Sequence, residues 1–270
     1  MYYLHAVLFS FLIWFISVFI YYFRTGRLKL NHFSFSVRNY HILASAFAVG
    51  VVVEAIARGS LLPIIYFLVF ALSGVIGETV FSFWWHHFFA KRFWVYQVDA
   101  LFHSYTSLLN FIPWGAGGLL YLSIVGYLRV SPPRTFYMIF SILVFLSVLV
   151  QIFIFNLYYR RNRKDFKFHE VNYLNFGLFY LTLFIPVLVT SFIYGPWVLG
   201  ITLAFGVVAG VVEYLFGKST EFFISKKLWL YQYSSFDKGH FTPLSIPAFA
   251  LAGFYFWIIS SFLNLLIKIV

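Results

Sequence analysis

The chain has no cysteine among its 270 residues. That excludes a disulfide framework, an iron–sulfur cluster and a thiol nucleophile. Charge is also scarce, with Asp, Glu, Lys and Arg making up 10% of the sequence, against about 25% in a soluble globular chain. No phosphate-binding G-x4-G-K-[ST], dinucleotide G-x-G-x2-G, nucleophile-elbow G-x-S-x-G or zinc-binding H-E-x2-H motif occurs, and no Ser–His–Asp signature can be assembled. The chemistry, if any, has to come from a handful of carboxylates, histidines and aromatic side chains.

Apolar residues dominate what is there, at 62% of the chain. They fall in eight runs, roughly 3–22, 40–57, 61–89, 106–128, 135–158, 172–192, 196–217 and 242–268. A helix of about 20 apolar residues crosses ~30 Å of hydrocarbon. The first run has no basic flank before it and is longer than the apolar core of a cleaved signal, so it is expected to be a span. Thirty-eight Phe and 20 Tyr are read as lipid-facing, packing and interfacial bulk.

The formal charge of +11 is explained by orientation, not by nucleic acid. With eight spans and the N-terminus outside, the inside connections carry 15 of the 19 Lys and Arg residues. They include Arg24, Arg27, Lys29 and Arg38, then Lys91 and Arg92, then the run from Arg160 to Lys167, then Lys218, Lys226, Lys227 and Lys238. Only Arg58, Arg129, Arg134 and Lys268 fall outside. This bias predicts both termini outside and the long basic loops on the cytoplasmic face, against anionic lipid headgroups.

The phrase KRFWVYQ, Lys91 to Gln97, returns as KKLWLYQ, Lys226 to Gln232, 135 residues later. The register extends upstream: Glu78, Phe81 and Phe88 meet Glu213, Phe216 and Phe223. Each half also has a long basic connection before this stretch and a Thr followed by Pro after it: Thr106 and Pro113, then Thr242, Pro243 and Pro247. The expected fold is therefore all-α and polytopic, with eight transmembrane helices as two parallel four-helix repeats, 1–134 and 135–270. An even number of spans per repeat places the axis near the membrane normal. Both W-x-Y-Q phrases then face each other on the inner side; as bare interfacial anchors they would not need the fixed spacing to a carboxylate.

Glu78 and Glu213 sit deep in apolar spans, where an ionisable group is costly and is a functional candidate with a partner inside the bundle. Related by the repeat, they can divide the roles of general acid and base, or serve as buried carboxyls that fix helix packing. Trp94, Tyr96, Gln97, Trp229, Tyr231, Gln232, His86 and Glu221 are expected to line the pocket. His86 aligns with Glu221, each eight residues beyond its glutamate and about 80° round the helix. Together with His87 they raise a carboxylate–histidine metal site, but no E-x2-H or H-x3-H pair supports it, so no metal or cofactor is assigned. Asp99, His103, Asp237 and His240 lie on the loops after W-x-Y-Q. Glu54 and Arg58, four apart, form an expected helix ion pair. Gly74, Gly77, Gly115, Gly117, Gly118, Gly206 and Gly210 are candidates for close helix approach.

An intramembrane acid, then W-x-[FY], then a Pro-bearing helix start, written twice, resembles the heterodimeric or fused lycopene cyclase domains. Glu78, FWVYQ and NFIPWG carry it in the first half, and Glu213, LWLYQ and PLSIPAF in the second. The likeness covers about 40 residues per half. The Pro-x-Glu-Glu motif of those cyclases is replaced by Pro113-Trp114-Gly115 and Pro247-Ala248-Phe249. The resemblance implies a membrane enzyme acting on an isoprenoid by acid–base chemistry. Membrane lipids and a hydrophobic small molecule are the expected partners. The competing readings are a transporter or channel using the same carboxylates, and a non-catalytic lipid-binding subunit.

Overall fold

A computed structural model describes residues 37–89, 91–98, 100–127, 135–161, 173–224 and 227–267. The expected span at 3–22, Asp99 and Lys226 lie outside the described residues, as do the side chains of Glu221 and Lys238.

The described chain is mostly helical. Its helices are α1 (Val37–Arg58), α2 (Leu62–Phe89), α3 (Phe111–Tyr127), α4 (Thr135–Arg161), α5 (Tyr173–Tyr194), α6 (Trp197–Ile224) and α7 (Ile246–Ile267). Four stretches are long and apolar enough to cross a membrane: Leu62–Phe89, Asn175–Tyr194, Trp197–Lys218 and Pro243–Ile267. They are consistent with an integral membrane protein. The exposed side chains on α2 fit lipid as solvent: Leu68, Leu72, Ile76 and Val80 recur every fourth residue, which puts them on one face. Leu203, Val207, Val211 and Leu215 repeat that stripe on α6.

Local signals set the helix ends. Gly59 at φ +58° stops α1: its N–H bonds Ile56 O at 3.1 Å, and Ser60 N–H bonds Ala55 O at 3.0 Å. This is a Schellman closure, which a residue with a Cβ resists. Ser60 Oγ then accepts the N–H of Leu62 at 3.3 Å, opening α2. Glu54 and Arg58 pair as expected, on the last turn of α1.

Two details depart from the all-α expectation. The W-x-Y phrases are short strands, β1 (Trp94–Tyr96) and β4 (Trp229–Tyr231), and a hairpin joins β2 (Ala100–Leu101) to β3 (Thr106–Ser107). Alternating aromatic and aliphatic residues suit a pleat with one buried face. The run expected to be a span from residue 106 begins as β3 and a 3-10 turn, and α3 starts only at Phe111. Ser107 caps that turn by accepting Leu109 N–H at 3.2 Å, satisfying a donor the turn leaves open.

The chain divides into two compact units, each drawing on both halves of the sequence. The first contains described residues 37–82, 94–127 and 211–242. Here glycines let α2 and α3 meet closely: a Cβ on Gly74 would lie 2.4 Å from Trp114 Cγ, and one on Gly118 2.3 Å from Phe70 Cγ. A Cβ on Gly77 or Gly117 meets nothing within 4 Å, so those two glycines are not contact residues.

The second unit contains described residues 83–89, 91–93, 135–161, 173–210 and 243–267. Trp85 is fully buried among Phe89, Phe93, Phe179 and Tyr180. The buried Gln151 accepts from Trp84 Nε1 and donates to Phe179 O, tying α4 to α5. On α7, a Cβ at Gly253 would lie 2.3 Å from Phe205 Cδ1, the counterpart of Gly118 on Phe70 at the 135-residue offset. Gly206 likewise sits under Ile246 O and Ala250.

Candidate functional site

The site belongs wholly to the first unit and is built on β1 and β4. The strands pair antiparallel, Trp94 opposite Tyr231, Val95 opposite Leu230 and Tyr96 opposite Trp229. Val95 and Leu230 are the residues the 135-residue offset equates. Each phrase thus pairs with its own copy about a local two-fold. Period-two alternation sends Trp94, Tyr96, Trp229 and Tyr231 to one buried face, with Val95 and Leu230 on the other. Trp94 meets Tyr231 edge-on at 6.2 Å, and Tyr96 meets Trp229 at 6.3 Å. Phe81 stacks on Trp94 at 5.7 Å and Phe216 on Trp229 at 6.2 Å, again at equivalent positions.

The two tyrosines reach the two glutamates. Tyr96 Oη donates to Glu78 Oε1, and Tyr231 Oη donates to Glu213 Oε1. Burial, and then the carboxyl of Glu78, hold the Tyr96 hydroxyl well above the ordinary tyrosine range. That hydroxyl is a proton-keeping donor at neutral pH.

Beyond this shared pair the halves differ. Glu78 also accepts from Thr106 Oγ1 at 2.6 Å, from Asn110 Nδ2 at 3.0 and 2.9 Å, and from Trp114 Nε1 at 3.3 Å. Asn110 further donates to Tyr96 Oη. Trp94 Nε1 donates to Tyr105 O at 2.8 Å, and Ser82 Oγ donates to the same carbonyl at 3.2 Å. In the other half, Glu213 is half-buried, and among the described residues its enclosed Oε2 has no hydrogen-bond partner, nor does the buried Trp229 Nε1. The sequence differs here: at the 135-residue offset Thr106 and Ser82 are replaced by Phe241 and Gly217, which offer no side-chain donor, and Asn110 and Trp114 by Ser245 and Phe249. Gly217 leaves the room that Trp229 and the buried His240 occupy, since a Cβ there would lie 3.2 Å from each.

The remaining expected residues are spread out. Gln97 is exposed and Gln232 half-buried. His86 belongs to the second unit, where His87 stacks on Trp84 at 6.1 Å. Among the described residues no three His, Asp or Glu side chains form a metal-sized group. His103 is exposed on the turn between β2 and β3, where Phe102, His103 and Ser104 all have positive φ. Asp237 pairs with Lys218 Nζ at 2.6 Å and accepts from Tyr214 Oη at 3.1 Å. The hydrogen bond from Lys218 holds its carboxyl below the usual aspartate value.

Asn110 is the site residue that sequence reading did not single out. A lone amide in an apolar segment is the signal that points to it, because it has to be hydrogen-bonded where it is buried. Comparison of the chain with protein-family models, curated proteins and solved structures returns no match. The likeness to lycopene cyclases therefore rests on the motif outline alone.

Proposed function

We propose that this chain is a membrane-embedded enzyme, built as two parallel four-helix repeats, that rearranges an isoprenoid-type lipid by acid–base chemistry. One observation carries the reading: two glutamates at equivalent sequence positions, each held by a tyrosine of the paired strands, have unequal surroundings. Pairs of carboxyls placed in unlike environments are how one site separates acid from anion. Glu78 has the donors to remain a fixed carboxylate. Glu213 has a single donor and an enclosed oxygen, and is the proton carrier.

The step is redox-neutral. Glu213 gives its proton to one carbon of a C=C bond, whose π pair becomes the new C–H bond. The neighbouring carbon becomes cationic, opposite the Glu78 charge and the faces of Trp229 and Tyr231, which attract cations. Loss of a proton from an adjacent carbon to the Glu213 carboxylate, its C–H pair becoming the new π bond, restores a double bond at a new place; where a second C=C of the same lipid first gives its π pair to the cation as a C–C bond, a ring closes before that loss.

The test uses solvent deuterium. Purified protein is incubated in D2O with a native lipid extract, and apolar lipids are followed by mass spectrometry. Wild type is expected to move deuterium into a lipid carbon position, and Glu213→Gln to move none, because an amide cannot exchange that proton. If no lipid gains deuterium with wild type while proteoliposomes carry a proton or cation flux that Glu213→Gln abolishes, the site is a transport site and the enzyme reading fails.

A further inference from the structure

The repeat makes a comparison possible inside one molecule. In the Glu78 half, the carboxyl oxygens and the indole N–H of Trp94 all find partners among the protein's own side chains and backbone. In the Glu213 half, one carboxyl oxygen and the indole N–H of Trp229 are enclosed and find none among the described residues. A buried polar group without a partner costs about 1–3 kcal/mol, and two such groups on neighbouring side chains are retained where something else bonds them.

They belong to neighbouring side chains of α6 and β4. Trp229 and Tyr231 are two apart on β4 and share its buried face. Tyr231 bonds Glu213, while Trp229 stacks on Phe216, one helical turn further along α6. The strand and the helix therefore run in register, and the orphaned carboxyl oxygen and indole nitrogen belong to adjoining side chains.

We infer that the two halves have diverged in role: the Glu78 half is a closed structural latch, and Glu213 with Trp229 forms the binding point for a neutral lipid bearing a hydroxyl group. The inference builds on the isoprenoid reading and names the class of lipid. A hydroxyl both accepts and donates. It accepts from Trp229 Nε1–H and either donates to a Glu213 carboxylate or accepts from its acid form, so it fits both protonation states of the proposed cycle. A phosphate or diphosphate head is repelled, because the Glu78 carboxylate brings negative charge to the site. A pure hydrocarbon leaves both polar atoms unpaired. A carbonyl accepts from Trp229 and from the acid form of Glu213, but has nothing to offer its carboxylate, so it fits only one state of the cycle.

The experiment is a thermal-shift titration of the full chain in detergent with farnesol, farnesene, farnesal and farnesyl diphosphate. Farnesol is expected to bind about five- to thirtyfold more tightly than farnesene, the worth of one or two neutral hydrogen bonds, and more tightly than the aldehyde or the diphosphate. Trp229→Phe is expected to remove that preference, and Trp94→Phe to keep it. Equal binding of alcohol and hydrocarbon, tighter binding of the aldehyde or diphosphate, or a preference that survives Trp229→Phe overturns the inference. The four-ligand comparison on wild type decides the matter even where a variant does not fold. Alcohol preference without deuterium exchange leaves this binding site standing and removes the enzyme reading. Deuterium exchange without alcohol preference does the reverse.

Discussion

Replacing Glu78 by Gln tests the division of labour between the two carboxyls through stability alone. The amide keeps the size of the side chain and one carbonyl oxygen, and puts an NH2 group where the other oxygen was. Asn110 Nδ2 lies 3.0 Å from Oε1 and 2.9 Å from Oε2, so in either orientation the new NH2 faces an NH2. On the Oε2 side it also faces Trp114 Nε1, which can only donate. The bonds that survive, from Tyr96 or Thr106, change from charge-assisted to neutral. A hydrogen bond to a charged group contributes about 1.5–3 kcal/mol and a neutral one about 0.5–1.5 kcal/mol. Losing one bond and weakening two others therefore costs about 3 kcal/mol or more. For a chain of this size that is a fall in Tm of about 6–12 °C, at ~2–4 °C per kcal/mol. Glu213→Gln behaves differently, because its single donor, Tyr231, can bond the amide oxygen and the NH2 can take the place of the unpartnered Oε2. Its expected change is within about 1 kcal/mol. Thermal unfolding of both variants in the same detergent measures the contrast. Equal shifts, or a larger one for Glu213→Gln, would refute the saturated-latch account of Glu78.

Gly74→Ala places a methyl inside the Trp114 ring contact and is expected to cost about 1–3 kcal/mol by overpacking, whereas Gly77→Ala, with open space around it, leaves Tm unchanged or slightly raised; a reversed order refutes the α2–α3 contact. Val95→Cys with Leu230→Cys, introduced into a chain without cysteines, should form a disulfide on mild oxidation because these residues face each other across β1 and β4; failure to cross-link while Val95→Cys remains reactive argues against the register. The Asp237 carboxyl titrates below its ordinary value because of Lys218, so its contribution to stability is present above the unfolded aspartate pKa and is lost as pH falls through the lower folded value; the Tm difference between wild type and Asp237→Asn should therefore shrink on acidification from pH 7 toward pH 3, and a growing difference contradicts the pairing. Single cysteines at Arg161 and Lys227 should be inaccessible to an impermeant outside reagent, as the distribution of Lys and Arg requires; labelling at either position reverses the orientation.

Several features follow from the sequence alone. Runs of 20 or more apolar residues give helices, because hydrocarbon offers no partner for a backbone N–H or C=O and a helix satisfies its own. The four stretches long and apolar enough to cross a membrane accordingly fall within three residues of where hydropathy puts them. The spacing from Glu78 to Tyr96 and from Glu213 to Tyr231 was legible as a repeat because the same residues recur at the same separation. The Schellman stop at Gly59 is local as well, depending on one backbone angle and two short-range bonds.

Tertiary structure decided the rest. That the W-x-Y phrases pair antiparallel through Val95 and Leu230 is a long-range contact, which no local propensity encodes. Thr106, Asn110 and Trp114 reach Glu78 from 28, 32 and 36 residues away, and that convergence depends on the path of the chain through β3, the 3-10 turn and α3. The difference between the two glutamates is likewise invisible in the W-x-Y-Q signature, since both halves carry the same acid and the same tyrosine. It arises because a buried carboxyl is defined by the donors around it, and those donors lie outside the repeated phrase, at positions where the second half has Phe241, Ser245 and Phe249.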